Sequence, residues 1–168
     1  GQDIIMPLLA RRKAIPFRVA IPEQPFHVIE QAHKVPKKKG RVAVFAGCSV
    51  NFFMPHLGVS LINVLQSLGY EVVLLKGEVC CGAPLLGLGM EKEAVGLAKK
   101  NQLALSRLRV DAVVSLCPTC TLSLKHTYVS LIGKGIDKAM DISVFLNDML
   151  EQKGKIPNSV VYHDPCHL

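Results

Sequence analysis

Three short apolar runs, at positions 41–46, 70–75 and 111–116, alternate with stretches of helical periodicity, and each run is followed within a few residues by cysteine. That alternation narrows the architecture more than any other property of the chain. Runs apolar on both faces and separated by helical patterns indicate an α/β domain whose strands lie mostly parallel and covered on both sides. In the first, Arg41-Val42-Ala43-Val44-Phe45-Ala46 predicts a strand ending in Gly47-Cys48. Pro55 then opens a helix with Leu57, Leu61, Val64, Leu65 and Leu68 on one face, stopped by Gly69. The second strand is expected over Tyr70–Leu75, followed by the loop Gly77-Glu78-Val79-Cys80-Cys81-Gly82.

A longer helix is predicted from Met90 to Leu108, burying Ala94, Leu97, Ala98, Leu105 and Leu108, with Glu91, Lys92, Lys99 and Lys100 outward. Asp111 to Leu116 reads as a third strand, and a helix begins within Cys117-Pro118-Thr119-Cys120 and runs to about Ile132. Another helix turns Ile142, Phe145, Leu146, Met149 and Leu150 inward, and a fourth strand is expected over Ser159–Tyr162. The expected fold is therefore a Rossmann-like, open, mostly parallel sheet flanked by helices, with the cysteines at the C-terminal ends of the strands.

Upstream of this pattern, residues 1–39 carry five prolines and no sustained periodicity, and read as an extended basic linker or arm. Residues 40–156 form the expected cysteine-rich domain. The stretch 157–168, which ends a strand on His163-Asp164-Pro165-Cys166-His167-Leu168, reads as the start of a second, truncated unit, so the chain is expected to be a piece of a longer protein. A length of 168 residues suits one such domain plus extensions.

Charge excludes one class of function. Residues 1–40 hold eight Lys/Arg against three Asp/Glu, whereas the rest hold twelve against ten, so most of the net charge of +7 lies outside the expected domain. Phosphate binding wants Lys and Arg gathered on a folded face, usually beside stacking aromatics, and this chain has no Trp; no nucleic-acid partner is expected. The run Lys37-Lys38-Lys39 reads as a solvated linker. No apolar run is long enough to span a membrane and no secretion signal opens the chain, so a cytoplasmic location is expected.

The chemistry lies in the spacing of five cysteines: Cys48, then 31 residues, then Cys80-Cys81, then 35 residues, then Cys117 and Cys120 as a CxxC. Grouped thiolates favour a soft metal or an iron–sulfur centre. Disulfides are disfavoured, because adjacent cysteines bridge each other only with strain and a reducing compartment opposes such bonds. A helix N-terminus at Pro118 lowers the pKa of the thiols beside it and so favours the metal-binding form. Tetrahedral zinc takes four ligands, which leaves a fifth thiolate unused, whereas a centre with several metal atoms has room for it. The alternative on the residues alone is a zinc-binding structural module that organises contacts between subunits. His56, His126, His163 and His167 lie near the cysteine loops, and each is more simply a surface or hydrogen-bonding histidine. Gly87-Leu88-Gly89 lacks the third glycine or the Lys-Ser/Thr of a nucleotide loop.

The pattern Cys48-x31-Cys80-Cys81-Gly82-x35-Cys117-x2-Cys120 resembles the cysteine-rich CCG domain found in heterodisulfide reductase. Similar domains occur in the iron–sulfur subunits of glycolate oxidase, anaerobic glycerol-3-phosphate dehydrogenase and lactate-utilisation systems. The resemblance covers roughly residues 41–132. It implies that Cys48, Cys80, Cys81, Cys117 and Cys120 ligate a non-cubane [4Fe–4S] cluster and that Cys166 belongs to a second, incomplete site. It further implies an electron-transfer module with no turnover by itself, partnered by a flavoprotein dehydrogenase and other iron–sulfur domains. Such a complex would work in the cytoplasm, with peripheral association at the inner face of the membrane as one arrangement.

Overall fold

The computed structural model describes residues 22–29, 39–147, 149, 159 and 161. Four strands, β1 (Gly40–Val44), β2 (Tyr70–Leu74), β3 (Ala112–Ser115) and β4 (Ala139–Asp141), form one sheet in the order β2-β1-β3-β4, with every pairing parallel. The expected α/β class and parallel sheet are thus present. Of the predicted strand at Ser159–Tyr162, Val160 and Tyr162 lie outside the described residues and Ser159 and Val161 are not in a strand; the fourth strand among the described residues is the short Ala139-Met140-Asp141.

Alternation along β1 decides which layer each side chain enters, because successive residues point to opposite faces. Val42, Val44 and Ala46 join Phe26, Val50, Leu61, Ile62, Leu65, Val72 and Val114 on one side of the sheet. Ala43 and Phe45 join Leu75, Ala98, Leu105, Val113, Leu124 and Tyr128 on the other. Helix α1 (Phe26–Ile29) contributes fully buried Phe26 to the first layer. There the ring lies where a Cβ on Gly58 would come within 2.5 Å of it, so only glycine permits the approach.

Two helices follow β1: α2 (Gly47–Phe52) and α3 (Pro55–Ser67). Proline at the first position of α3 suits a site whose N–H has no helical partner. The buried face of α3 is Gly58, Leu61, Ile62 and Leu65, while Leu57 and Val64 are more than a third exposed. The predicted face is therefore rotated, with Gly58 rather than Leu57 turned toward Phe26. On the opposite layer lie α4 (Ala83–Gly87) and α5 (Glu91–Ser106), followed after β3 by α6 (Pro118–Leu122). A π-helical turn (Ser123–Thr127) continues α6 into α7 (Tyr128–Ile132), so the predicted helix to Ile132 is one continuous stretch with a widened middle. Helix α8 (Ile142–Asn147) closes the described fold, its first turn held by Asp141 Oδ1, which accepts from the Ser143 amide at 2.9 Å and hydroxyl at 2.7 Å.

Strand order places β1 at a reversal, since the chain leaves it for β2 on one side and later returns to pair β3 on the other. In open parallel sheets the loops that follow the two strands at such a reversal form a crevice. Here those loops lead into α2, which contains Cys48, and into α6, which contains Cys120. Among the described residues, no helix is long and apolar enough to cross a membrane.

Candidate functional site

Cys48 stands in the first turn of α2 and Cys80 and Cys81 in the loop that precedes α4. Cys117 is the N-cap of α6 and Cys120 lies within that helix. Cys48, Cys80 and Cys117 are partly exposed, Cys81 and Cys120 are buried, and none of the five is in a disulfide. Cys166, His163 and His167 lie outside the described residues. His56 and His126 are exposed.

Contacts between the thiols join the three segments. Cys120 is hydrogen-bonded both to Cys81 and to Cys117, and Cys48 is hydrogen-bonded to Cys80. Cys81 also feels the charge of Cys117, and Cys80 the charges of Cys81 and Cys48. Among the described residues no three Cys, His, Asp or Glu side chains surround one point as a single ion requires. The thiols thus form a linked set, one of three and one of two.

Hydrogen bonding decides where the negative charge settles. The bond from Cys120 holds the Cys81 thiol down to about 6 against the opposing effect of burial, helped by the Ala83 amide and Ser123. Cys117 is likewise lowered to about 6, first by Cys120 and then by the amides of Cys120 and Thr119. Those amides face its sulfur without forming a conventional side-chain cap. Cys120, the shared partner of both, is driven far above the ordinary thiol range by those two contacts and by burial. Burial also raises Cys80, against the pull of the Gly82 amide.

Two glycines shape this region. Gly47 has φ +65°, and a Cβ there would sit 2.9 Å from Cys120 Sγ, closer than side-chain carbons approach sulfur. Gly82 has φ +91°, but its nearest neighbour would be Ala94 at 3.5 Å, an ordinary contact. Gly47→Ala is therefore expected to destabilise the metal-free chain by about 1–3 kcal/mol from backbone strain and to displace Cys120 as well. Gly82→Ala should show the strain alone. Urea unfolding measures the first effect, and the rate at which Cys120 reacts with a thiol reagent measures the second.

Three polar residues that the sequence did not single out hold the cysteine loops. Asn101 on α5 is fully buried; its Oδ1 accepts from the Val79 amide at 3.0 Å. Its Nδ2 donates to the carbonyls of Val79 at 3.0 Å and Cys80 at 3.1 Å, and to the Tyr128 hydroxyl at 2.9 Å. Glu78 accepts from the amides of Ala46 and Gly47. Ser123, the first residue of the π turn, is buried and bonds Cys81. A lone acid two residues before Cys80 was the available signal for Glu78. Asn101 offered none, since it sits beside Lys99 and Lys100 on what reads as a solvated stretch.

A family model described as a cysteine-rich domain, CCG, matches residues 42–125. An uncharacterized iron-sulfur protein of Methanococcus maripaludis is 33% identical over all of this chain and 34% of its own length. One of the subunits of the CoM/CoB fumarate reductase of Methanothermobacter marburgensis is 37% identical over 76% of this chain and 26% of its own. One of the subunits of the anaerobic glycerol-3-phosphate dehydrogenase of Escherichia coli is 33% identical over 77% of this chain and 36% of its own. The chain spans about a third of the length of these curated relatives.

Proposed function

Since this chain belongs to the CCG cysteine-rich domain family, we propose that Cys48, Cys80, Cys81, Cys117 and Cys120 hold an iron–sulfur cluster and that the domain is an electron-transfer module of a larger oxidoreductase. The supporting observation is the set of thiol contacts, Cys48 with Cys80 and Cys120 with both Cys81 and Cys117, which gathers sulfur from three distant segments. The relatives point the same way: one is named an iron-sulfur protein, and two are subunits of a fumarate reductase and a glycerol-3-phosphate dehydrogenase.

The residues fit such a group. Thiolates are the soft donors that iron–sulfur clusters take, and Cys81 and Cys117 are already biased toward that form. The space beside Cys120 stays open because Gly47 has no side chain. Five donors suit a non-cubane [4Fe–4S] cluster, whereas a structural zinc would leave one thiol idle. When bound, the cluster supplies one-electron transfer. The protein's part is to aim the Gly82, Ala83, Thr119 and Cys120 amides at the sulfurs and to keep Cys81 and Cys120 away from water; both set the potential at which electrons enter and leave. Its partners on this reading are the other subunits of the complex, a flavoprotein dehydrogenase and further iron–sulfur domains among them.

Anaerobic reconstitution followed by metal and sulfide analysis tests the proposal. The expected product is brown and contains iron and acid-labile sulfide in about equal amounts. A colourless chain that binds about one zinc and no sulfide would replace this reading with the structural-zinc one.

A further inference from the structure

We infer that Glu78 is a positioning residue that fixes the Cys48 turn against the Cys80-Cys81 loop; the inference rests on reading these cysteines as ligands. Oε1 accepts from the Gly47 amide at 2.7 Å and Oε2 from the Ala46 amide at 3.1 Å. The side chain is 4% exposed.

The first amides of a helix have no partner within it, and a Ser, Thr, Asp or Asn at the N-cap commonly supplies the missing acceptor. Helix α2 has Ala46 at that position, which offers none. Its acceptor comes from 31 residues further along the chain. A buried carboxylate is costly unless it is fully hydrogen-bonded, so a distant glutamate is an expensive way to cap six residues of helix. It does something a local serine could not. Gly47 immediately precedes Cys48, and Glu78 lies two residues before Cys80, so one carboxylate ties together the two segments whose thiols are hydrogen-bonded. Helix α1 closes the arrangement from outside. The His27 amide donates to Asn51 Oδ1 at 3.1 Å, and its buried Nε2, which has no hydrogen bond, lies 3.6 Å from Glu78 Oε2.

Glu78→Gln keeps the size of the side chain but replaces one acceptor oxygen with an NH₂ facing an amide; Glu78→Ala removes both acceptors. In the reduced, metal-free chain, diamide takes two electrons and two protons from a neighbouring thiol pair and leaves a disulfide. Peptide mapping then follows the Cys48–Cys80 product. The rate is expected to fall at least about fivefold in Glu78→Gln and further in Glu78→Ala, both measured well below each variant's Tm. In the reconstituted chain, Glu78→Gln is expected to retain less iron and to show an altered electron paramagnetic resonance line shape. A capping role alone would lower Tm while leaving the disulfide rate and the line shape as in the parent, and that result would overturn the inference. The disulfide arm needs no metal, so a slowed rate in a chain that never takes iron would uphold Glu78 and reject the cluster.

Discussion

Cys81→Ser is expected to abolish the visible absorbance of the anaerobically reconstituted chain and to lower its affinity for iron by at least about a hundredfold, the upper end of what loss of a merely supporting group costs a metal site. Serine is nearly the same shape, so the fold should survive: circular dichroism of the metal-free variant should match the parent, with stability changed by about 1 kcal/mol. The size of the effect follows from the position of Cys81. It is 4% exposed and receives hydrogen bonds from Cys120, the Ala83 amide and Ser123, all of which favour its thiolate. An oxygen in its place would keep those bonds and lose the soft donor. Iron content is the decisive measurement, because a lost colour with retained iron would mean altered electronics rather than a lost ligand. Full absorbance in this variant would remove Cys81 from the donor set.

Asn101→Leu is expected to be the most destabilising single change outside the cysteines, by about 3–5 kcal/mol, or roughly 10 °C in Tm for a chain of this size. The leucine would fill a similar volume and satisfy none of the four groups that Asn101 serves: the Val79 amide, the Val79 and Cys80 carbonyls and the Tyr128 hydroxyl. A buried polar group left without a partner costs about 1–3 kcal/mol, and some of these groups would reach water by local rearrangement. Tyr128→Phe removes one acceptor and leaves the remaining Asn101 bonds in place, so it should cost only about 1 kcal/mol. Thermal and urea unfolding of the metal-free chains measure both. Equal losses in the two variants would mean that the tyrosine, rather than the loop that carries Cys80, is the main beneficiary of Asn101.

How much of this was legible in the sequence depended on whether a residue's partners lie close to it along the chain. Strands β1, β2 and β3 announced themselves as apolar runs bounded by glycine and charge, and α5 showed its period. Strand β4 did not, because three residues ending in an aspartate that holds the next helix resemble a turn. Helix α2 was hidden for a related reason: its acceptor is Glu78, and nothing beside Ala46 marks a helix start. The π turn left no trace either, since its extra width shows only in where Ser123 falls relative to Cys81. The spacing of the cysteines pointed to a meeting of thiols. It did not show how they divide, with Cys120 between Cys81 and Cys117 in one group and Cys48 paired with Cys80 in the other.

Cys81 and Cys120 belong to the same packed layer as Phe45, Ala98, Leu124 and Tyr128. A bulkier residue at Ala98 or a smaller one at Leu124 would therefore be felt by sulfur as well as by hydrocarbon. Natural variation on this side of the sheet must pass two filters at once, one mechanical and one inorganic. The opposite layer, around Ile62 and Leu65, has no cysteine among its described core residues and is free to drift under the first filter only.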